Sequence, residues 1–134
     1  MANIRDIEGI GDVYAGKLEA AGIKTDDALL QAGATRKGRE DIVQATGISD
    51  TLVLKWVNRA DLARVKGIGS EYADLLEASG VDSVPELAQR NAANLHAKMA
   101  EVNEAKSLVR QLPSAAQVEK WVAEAKSLDR VVTH

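Results

Sequence analysis

Apolar residues recur along this chain at helical spacing, and short groups of Gly, Ser, Thr and Asn interrupt them. The chain opens with a short turn over residues 3–7, then a tight Gly9-Ile10-Gly11 turn. Tyr14, Leu18 and Ala21 then share one face, which predicts a helix over about 12–21. Gly22 suits the left-handed residue that ends a helix, with Ile23 folding back as its hydrophobic partner. Thr25 starts the next helix, Asp26–Ala32, and Thr35 precedes another with Ile42 and Val43 inward. Gly47-Ile48 reads as a second, worn turn. Ser49 then caps a helix over about 50–60, with Leu52, Trp56 and Ala60 in register.

The plan then starts again. Ile7-Glu8-Gly9-Ile10-Gly11, Tyr14-Ala15, Leu18-Glu19-Ala20 and Gly22-Ile23 return as Val65-Lys66-Gly67-Ile68-Gly69, Tyr72-Ala73, Leu76-Glu77-Ala78 and Gly80-Val81, always 58 residues later. A self-match of this length implies two copies of one structural unit. Ser83-Val84-Pro85-Glu86 is a capping box with Pro in the first turn, Asn91 caps the next helix, and Ser114-Ala115-Ala116-Gln117 opens the last, Ala115–Ser127. Lys55-Trp56-Val57 returns as Lys120-Trp121-Val122 at an offset of 65, so the second copy carries seven extra residues. Seven residues are two helical turns, which predicts longer internal helices between about 91 and 113. The expected division is therefore 1–62 and 63–134. No Gly-, Ser- or Pro-rich linker separates the copies, so they are expected to pack together or share a continuous helix.

In a Gly-x-Gly turn before a helix, the bare backbone admits close approach by another chain, and the first helical N–H groups point outward at an anion site. Ile10 and Ile68 are the buried anchors of the two turns. Gly-hydrophobic-Gly followed by an Ala- and Leu-bearing helix resembles the helix-hairpin-helix of DNA repair proteins and polymerases. Each unit then reads as two such motifs, one sharp and one worn, which together make a SAM-like five-helix domain. The expected fold is all-α, two of these domains in tandem. The resemblance implies hairpin amides that hold phosphates, and in some members a monovalent cation on the hairpin carbonyls. Gly9, Ile10, Gly11 and Ile68 are the structural hairpin residues of this reading.

Charge changes the picture. Net charge is −3, with 17 Lys and Arg against 20 Asp and Glu. Neither half is basic, so nucleic-acid binding would need a local patch. Glu8 and Asp12 flank the first hairpin, and Asp12 also suits capping its own helix, which favours a self-satisfied turn there. The second hairpin is better placed. Lys66, Gly67, Gly69 and Ser70 form the candidate phosphate contact, although Glu71 and Asp74 oppose it. Arg36, Lys37, Arg39 and Arg64 are the candidate auxiliary cations. Asp41, Asp50 and Asp61 interrupt that cluster, whose bland reading is a solvated helix face of mixed charge.

The remaining composition narrows the field. There is no Cys and no Phe, so disulfides, thiolate metal sites and Cys nucleophiles are excluded. Trp56 and Trp121 occupy equivalent positions, which favours a core role; exposure at a partner surface is the alternative. Tyr14 and Tyr72 are expected at the core with their hydroxyls at the rim. His96 and His134 are the only histidines, and no acid or nucleophile is arranged around them, so neither catalysis nor metal binding is expected. The glycine turns lack the Gly-Lys-Ser/Thr ending of a P-loop. No apolar run approaches a membrane span and no signal-peptide pattern opens the chain, so no membrane partner and a cytoplasmic location are expected.

Several strings together are similar to one family: Gly22-Ile23-Lys24-Thr25, Ala32-Gly33-Ala34-Thr35-Arg36-Lys37-Gly38-Arg39, Thr46-Gly47-Ile48-Ser49, Trp56-Val57-Asn58-Arg59-Ala60-Asp61-Leu62 and Val118-Glu119-Lys120-Trp121, with both Gly-Ile-Gly turns. They resemble the bacterial family labelled domain of unknown function 4332, over about residues 4–128. The resemblance implies a small, stand-alone, all-helical protein of tandem helix-hairpin-helix type, and it brings no activity, substrate or cofactor. Two functions follow from the sequence. One is a non-enzymatic module that grips nucleic-acid backbone through the Gly-Ile-Gly hairpins. The other is a protein-interaction or self-assembly module in which those hairpins are purely structural.

Overall fold

The computed structural model describes residues 3–7 and 9–133. After a 3-10 turn at Ile4–Asp6, the helices are α1 (Asp12–Ala20), α2 (Asp26–Ala32), α3 (Arg36–Thr46), α4 (Asp50–Leu62), α5 (Ser70–Ala78), α6 (Val84–Ala88), α7 (Ala92–Lys106) and α8 (Ala115–Ser127). Among the described residues the only extended pairing is an isolated bridge between Asn3 and Thr25. The protein is all-α.

Side chains set most helix starts. The hydroxyls of Thr25, Thr35, Ser49 and Ser114 accept the amides of Ala28, Gly38, Leu52 and Gln117 at 3.0, 3.0, 3.3 and 3.1 Å. Ser83 and Asn91 do the same for Glu86 and Asn94 at 3.4 and 3.0 Å. Each bond satisfies a donor that the first turn leaves orphaned. The ends of α1 and α5 are also alike. Gly22 and Gly80 turn left-handed, and Ile23 and Val81 donate to the carbonyls of Leu18 and Leu76 at 2.9 and 2.8 Å.

The chain divides into two compact units, Met1–Asp61 together with Val131–His134, and Leu62–Arg130. The first unit's core gathers Ile4, Leu18, Leu29, Ile48, Val53 and Trp56. The second gathers Leu62, Leu75, Leu76, Leu87, Met99 and Trp121. Val132 lies in the first core, and the Thr133 amide donates to the Ala34 carbonyl at 2.8 Å. The last residues thus depart from a simple split at 62/63. On α1 the buried positions are Ala15 and Leu18, whereas Ala21 is exposed as the helix's C-cap residue.

The seven surplus residues of the second copy are not two clean helical turns. Helix α7 has 15 residues where α3 has 11, but α6 has five where α2 has seven. The rest lie in the connection 107–114, which replaces the short 47–49. Asn103 holds that connection: its Oδ1 accepts the Val109 amide at 2.9 Å and its Nδ2 donates to the Val109 carbonyl at 3.2 Å. His96 is engaged there too, with Nε2 2.8 Å from the Pro113 carbonyl.

Candidate functional site

The two Gly-Ile-Gly turns are built alike. Ile10 and Ile68 are buried, and their amides donate to the Ile7 and Val65 carbonyls at 3.1 and 3.2 Å. Gly9 and Gly67 both take a φ of +94°, a left-handed conformation that L side chains enter only with strain. Beneath each turn lies an indole. Trp56 and Trp121 are 1% and 2% exposed, so both are core residues. Each meets its unit's tyrosine, Tyr14 at 5.2 Å and Tyr72 at 5.3 Å between ring centres. The Tyr72 hydroxyl donates to the Gln111 carbonyl at 3.2 Å.

The second glycines behave differently. Gly11 and Gly69 are extended, and a β-carbon added to either would meet nothing within 4 Å. Each is the N-cap of the following helix, α1 or α5, and neither helix has a side-chain cap. The expectation that Asp12 caps α1 is therefore overturned. Its carboxylate takes the Arg5 guanidinium at 2.7 Å instead, with Arg5 Nε also donating to Glu19 at 3.1 Å. Both contacts raise the Arg5 pKa, the Glu19 hydrogen bond most. Glu8 lies outside the described residues.

The candidate cations fare unequally. Arg39 is turned inward. Its guanidinium donates to the carbonyls of Gly33, Ala34 and Thr133 at 2.9, 3.3 and 2.6 Å, which leaves it a poor phosphate ligand. Burial, reinforced by neighbouring Arg36, pushes its pKa down. Arg36 and Lys37 are exposed but face carboxylates one turn on, Glu40 at 3.8 Å and Asp41 at 3.0 Å. The Asp41 hydrogen bond raises the Lys37 pKa. Arg36 and Arg39 share a cleft of about 280 Å³ with Glu40 and Asp50, so acids reach that patch in space as in sequence. Arg64 donates to the Asp129 carbonyl at 2.7 Å. These cations lie in two units: Arg36, Lys37 and Arg39 in the first, Arg64 and Lys66 in the second.

The second turn keeps the most open chemistry. Lys66 is exposed, and its ammonium makes no ion pair among the described residues. Its backbone amide is occupied: Glu124 Oε2 accepts it at 2.8 Å. Sequence reasoning missed Glu124. The available signal was the stripe Gln117, Lys120 and Glu124 at i, i+3 and i+7 on α8. Those three residues line a cleft of about 540 Å³ beside the turn with Lys66, Ser114 and Trp121.

These features define a duplicated all-helical protein with one glycine turn per unit, each seated on a buried tryptophan. The chain belongs to the family described as Domain of unknown function (DUF4332), whose model matches residues 8–128. No curated protein and no solved structure matches it. No helix among the described residues is long and apolar enough to cross a membrane.

Proposed function

We propose that this protein is a non-enzymatic tandem helix-hairpin-helix module that grips nucleic-acid backbone without sequence preference, through the second Gly-Ile-Gly turn. One observation carries the reading. Six of the described helices start from a side-chain cap, and the two that do not are α1 and α5, which follow the glycine turns. Uncapped amides behind a bare glycine suit a phosphate oxygen. At the second turn the participants are the exposed Lys66 ammonium and the open backbone at Gly69, with Gly67 shaping the turn and Ser70 opening the helix behind it. Arg39 drops out, and Arg36, Lys37 and Arg64 contribute little because they already have partners. So few phosphate contacts make binding weak and steeply dependent on salt.

The experiment is fluorescence anisotropy of labelled duplex and single-stranded DNA at low and near-physiological salt. Micromolar binding at low salt that fades as salt rises supports the module, and the salt slope counts phosphates. No binding at low salt retires it.

The first turn favours a different use. The Asp12 carboxylate is 97% exposed beside the α1 N-terminus, and Val13 is 72% exposed next to it. The acid disfavours a phosphate at this turn, and the second reading is that the turn serves a protein surface or a second copy of this chain. If DNA does not bind, concentration-dependent sedimentation of the wild type compared with Val13→Asp tests that second reading.

A further inference from the structure

We propose that the cleft between the Lys66-Gly67 turn and helix α8 binds a phosphate monoester, which displaces the Glu124 carboxylate seated there. The inference goes beyond backbone gripping. It uses α8, which that reading does not, and it stands or falls separately.

An oxyanion already occupies the position. Glu124 Oε2 accepts the Lys66 amide at 2.8 Å, so the protein's own carboxylate shows that this amide takes an anionic oxygen. The surroundings exceed what one carboxylate uses. Lys66 and Lys120 both line the cleft, and neither ammonium makes an ion pair among the described residues. Glu124 lies one turn after Lys120, the usual spacing for a helical ion pair, yet its carboxylate is committed to the hairpin. Elsewhere such partners are taken: Lys37 holds Asp41 and Arg36 faces Glu40. Neutral donors lie beside the turn as well. The Trp121 Nε1 and Gln117 Nε2 atoms stand 3.1 and 3.7 Å from where a Gly67 β-carbon would be.

Two lysines lining a cleft with one carboxylate favour a dianion over a monoanion. A phosphate monoester supplies close to two charges and three acceptor oxygens. The cleft, about 540 Å³, also has room for the group that carries the phosphate. The bearer is a free small molecule or the end of a polynucleotide strand.

Amide and indole N–H spectra of the full-length protein, labelled with nitrogen-15, test the site. The titrants are inorganic phosphate, adenosine 5′-monophosphate, adenosine, and a single-stranded oligonucleotide with and without a 5′-phosphate. Saturable shifts of the Lys66 amide and the Trp121 indole with phosphate and the monophosphate, but not with adenosine, are expected. Glu124→Gln should tighten phosphate roughly fivefold and Lys120→Gln should weaken it roughly fivefold, the effect of one exposed charge. Stronger shifts from the 5′-phosphorylated strand than from the monophosphate assign the bearer to a strand end. Equal shifts assign it to a small molecule. Silence at Lys66 and Trp121 in both the wild type and Glu124→Gln, at about 20 mM phosphate where even weak sites fill, overturns the proposal. So does an unchanged affinity in Lys120→Gln. Duplex DNA binding alongside a silent cleft would sink this inference and leave the backbone-gripping reading intact.

Discussion

The Trp121 indole nitrogen stands 3.1 Å from the point where a β-carbon on Gly67 would sit, and Trp56 holds the same relation to Gly9 at 3.4 Å. The tryptophan is thus the floor of the turn. It supports a left-handed glycine from below while the second glycine faces outward. The structural and the open glycines of each Gly-Ile-Gly turn are separated by one residue, and single substitutions can tell them apart.

Gly67→Ala places a methyl group on a residue at φ +94°, tight against that indole. It should cost about 1–3 kcal/mol in urea or thermal unfolding. Gly69→Ala adds its methyl into open space on extended backbone, and stability should change by less than about 0.5 kcal/mol. Because that methyl stands where a nucleic-acid backbone would approach, Gly69→Ala should also weaken DNA binding in the anisotropy assay. Full affinity in a folded Gly69→Ala protein would count against the second turn as the contact.

Lys66→Glu should leave the unfolding midpoint unchanged, since the side chain is exposed and the amide contact to Glu124 uses only backbone. DNA affinity at low salt should fall, and the salt slope should drop by about one phosphate. An unchanged slope would remove Lys66 from the interface.

Arg39→Ala should behave as a stability variant. It removes a guanidinium that bonds three carbonyls, and the loss should be about 2–3 kcal/mol by chemical denaturation. Arg36→Ala, from the same cluster, should stay within about 0.5 kcal/mol. Deleting residues 131–134 removes the Thr133 acceptor, so the deletion and Arg39→Ala should combine to less than the sum of their separate effects.

Asn103→Ala should free the segment after α7. Both Asn103 bonds go to Val109, just beyond Ser107, the left-handed C-cap residue of α7 at φ 50°. Stability should drop by about 1–2 kcal/mol, and amide exchange at Val109 should quicken while Leu29 in the first unit's core stays protected.

Helix starts were legible because their determinants are local. Thr25, Thr35, Ser49, Ser83, Asn91 and Ser114 each cap within three residues of themselves, and the glycines that end α1 and α5 announce themselves by type. The burial of both tryptophans was legible from the repeat. What escaped depended on partners distant in sequence. Arg39 reads as part of a solvated Arg-Lys-Gly-Arg run until Thr133, 94 residues away, supplies a carbonyl. Glu124 reaches the Lys66 amide across 58 residues. Asp12 carried a plausible capping role at its own helix, but Arg5 competes for it more effectively. The seven-residue surplus gave a helix-sized number, and only the structure divides it between α7 and an irregular segment held by Asn103, His96 and Tyr72.

The return of Val132 and Thr133 to the first unit has a consequence for how the protein is made. A ribosome finishes residues 3–61 long before it reaches them, so the first core waits with a gap at Val132 while the whole second unit is synthesised. Closing that gap joins residues about 100 positions apart, a loop whose entropy must be lost before the contact stabilises anything. The second unit meets no such delay, since every member of its core lies between Leu62 and Ala125. The core built mostly from the earlier-made residues is therefore completed by a side chain made after every buried residue of the other.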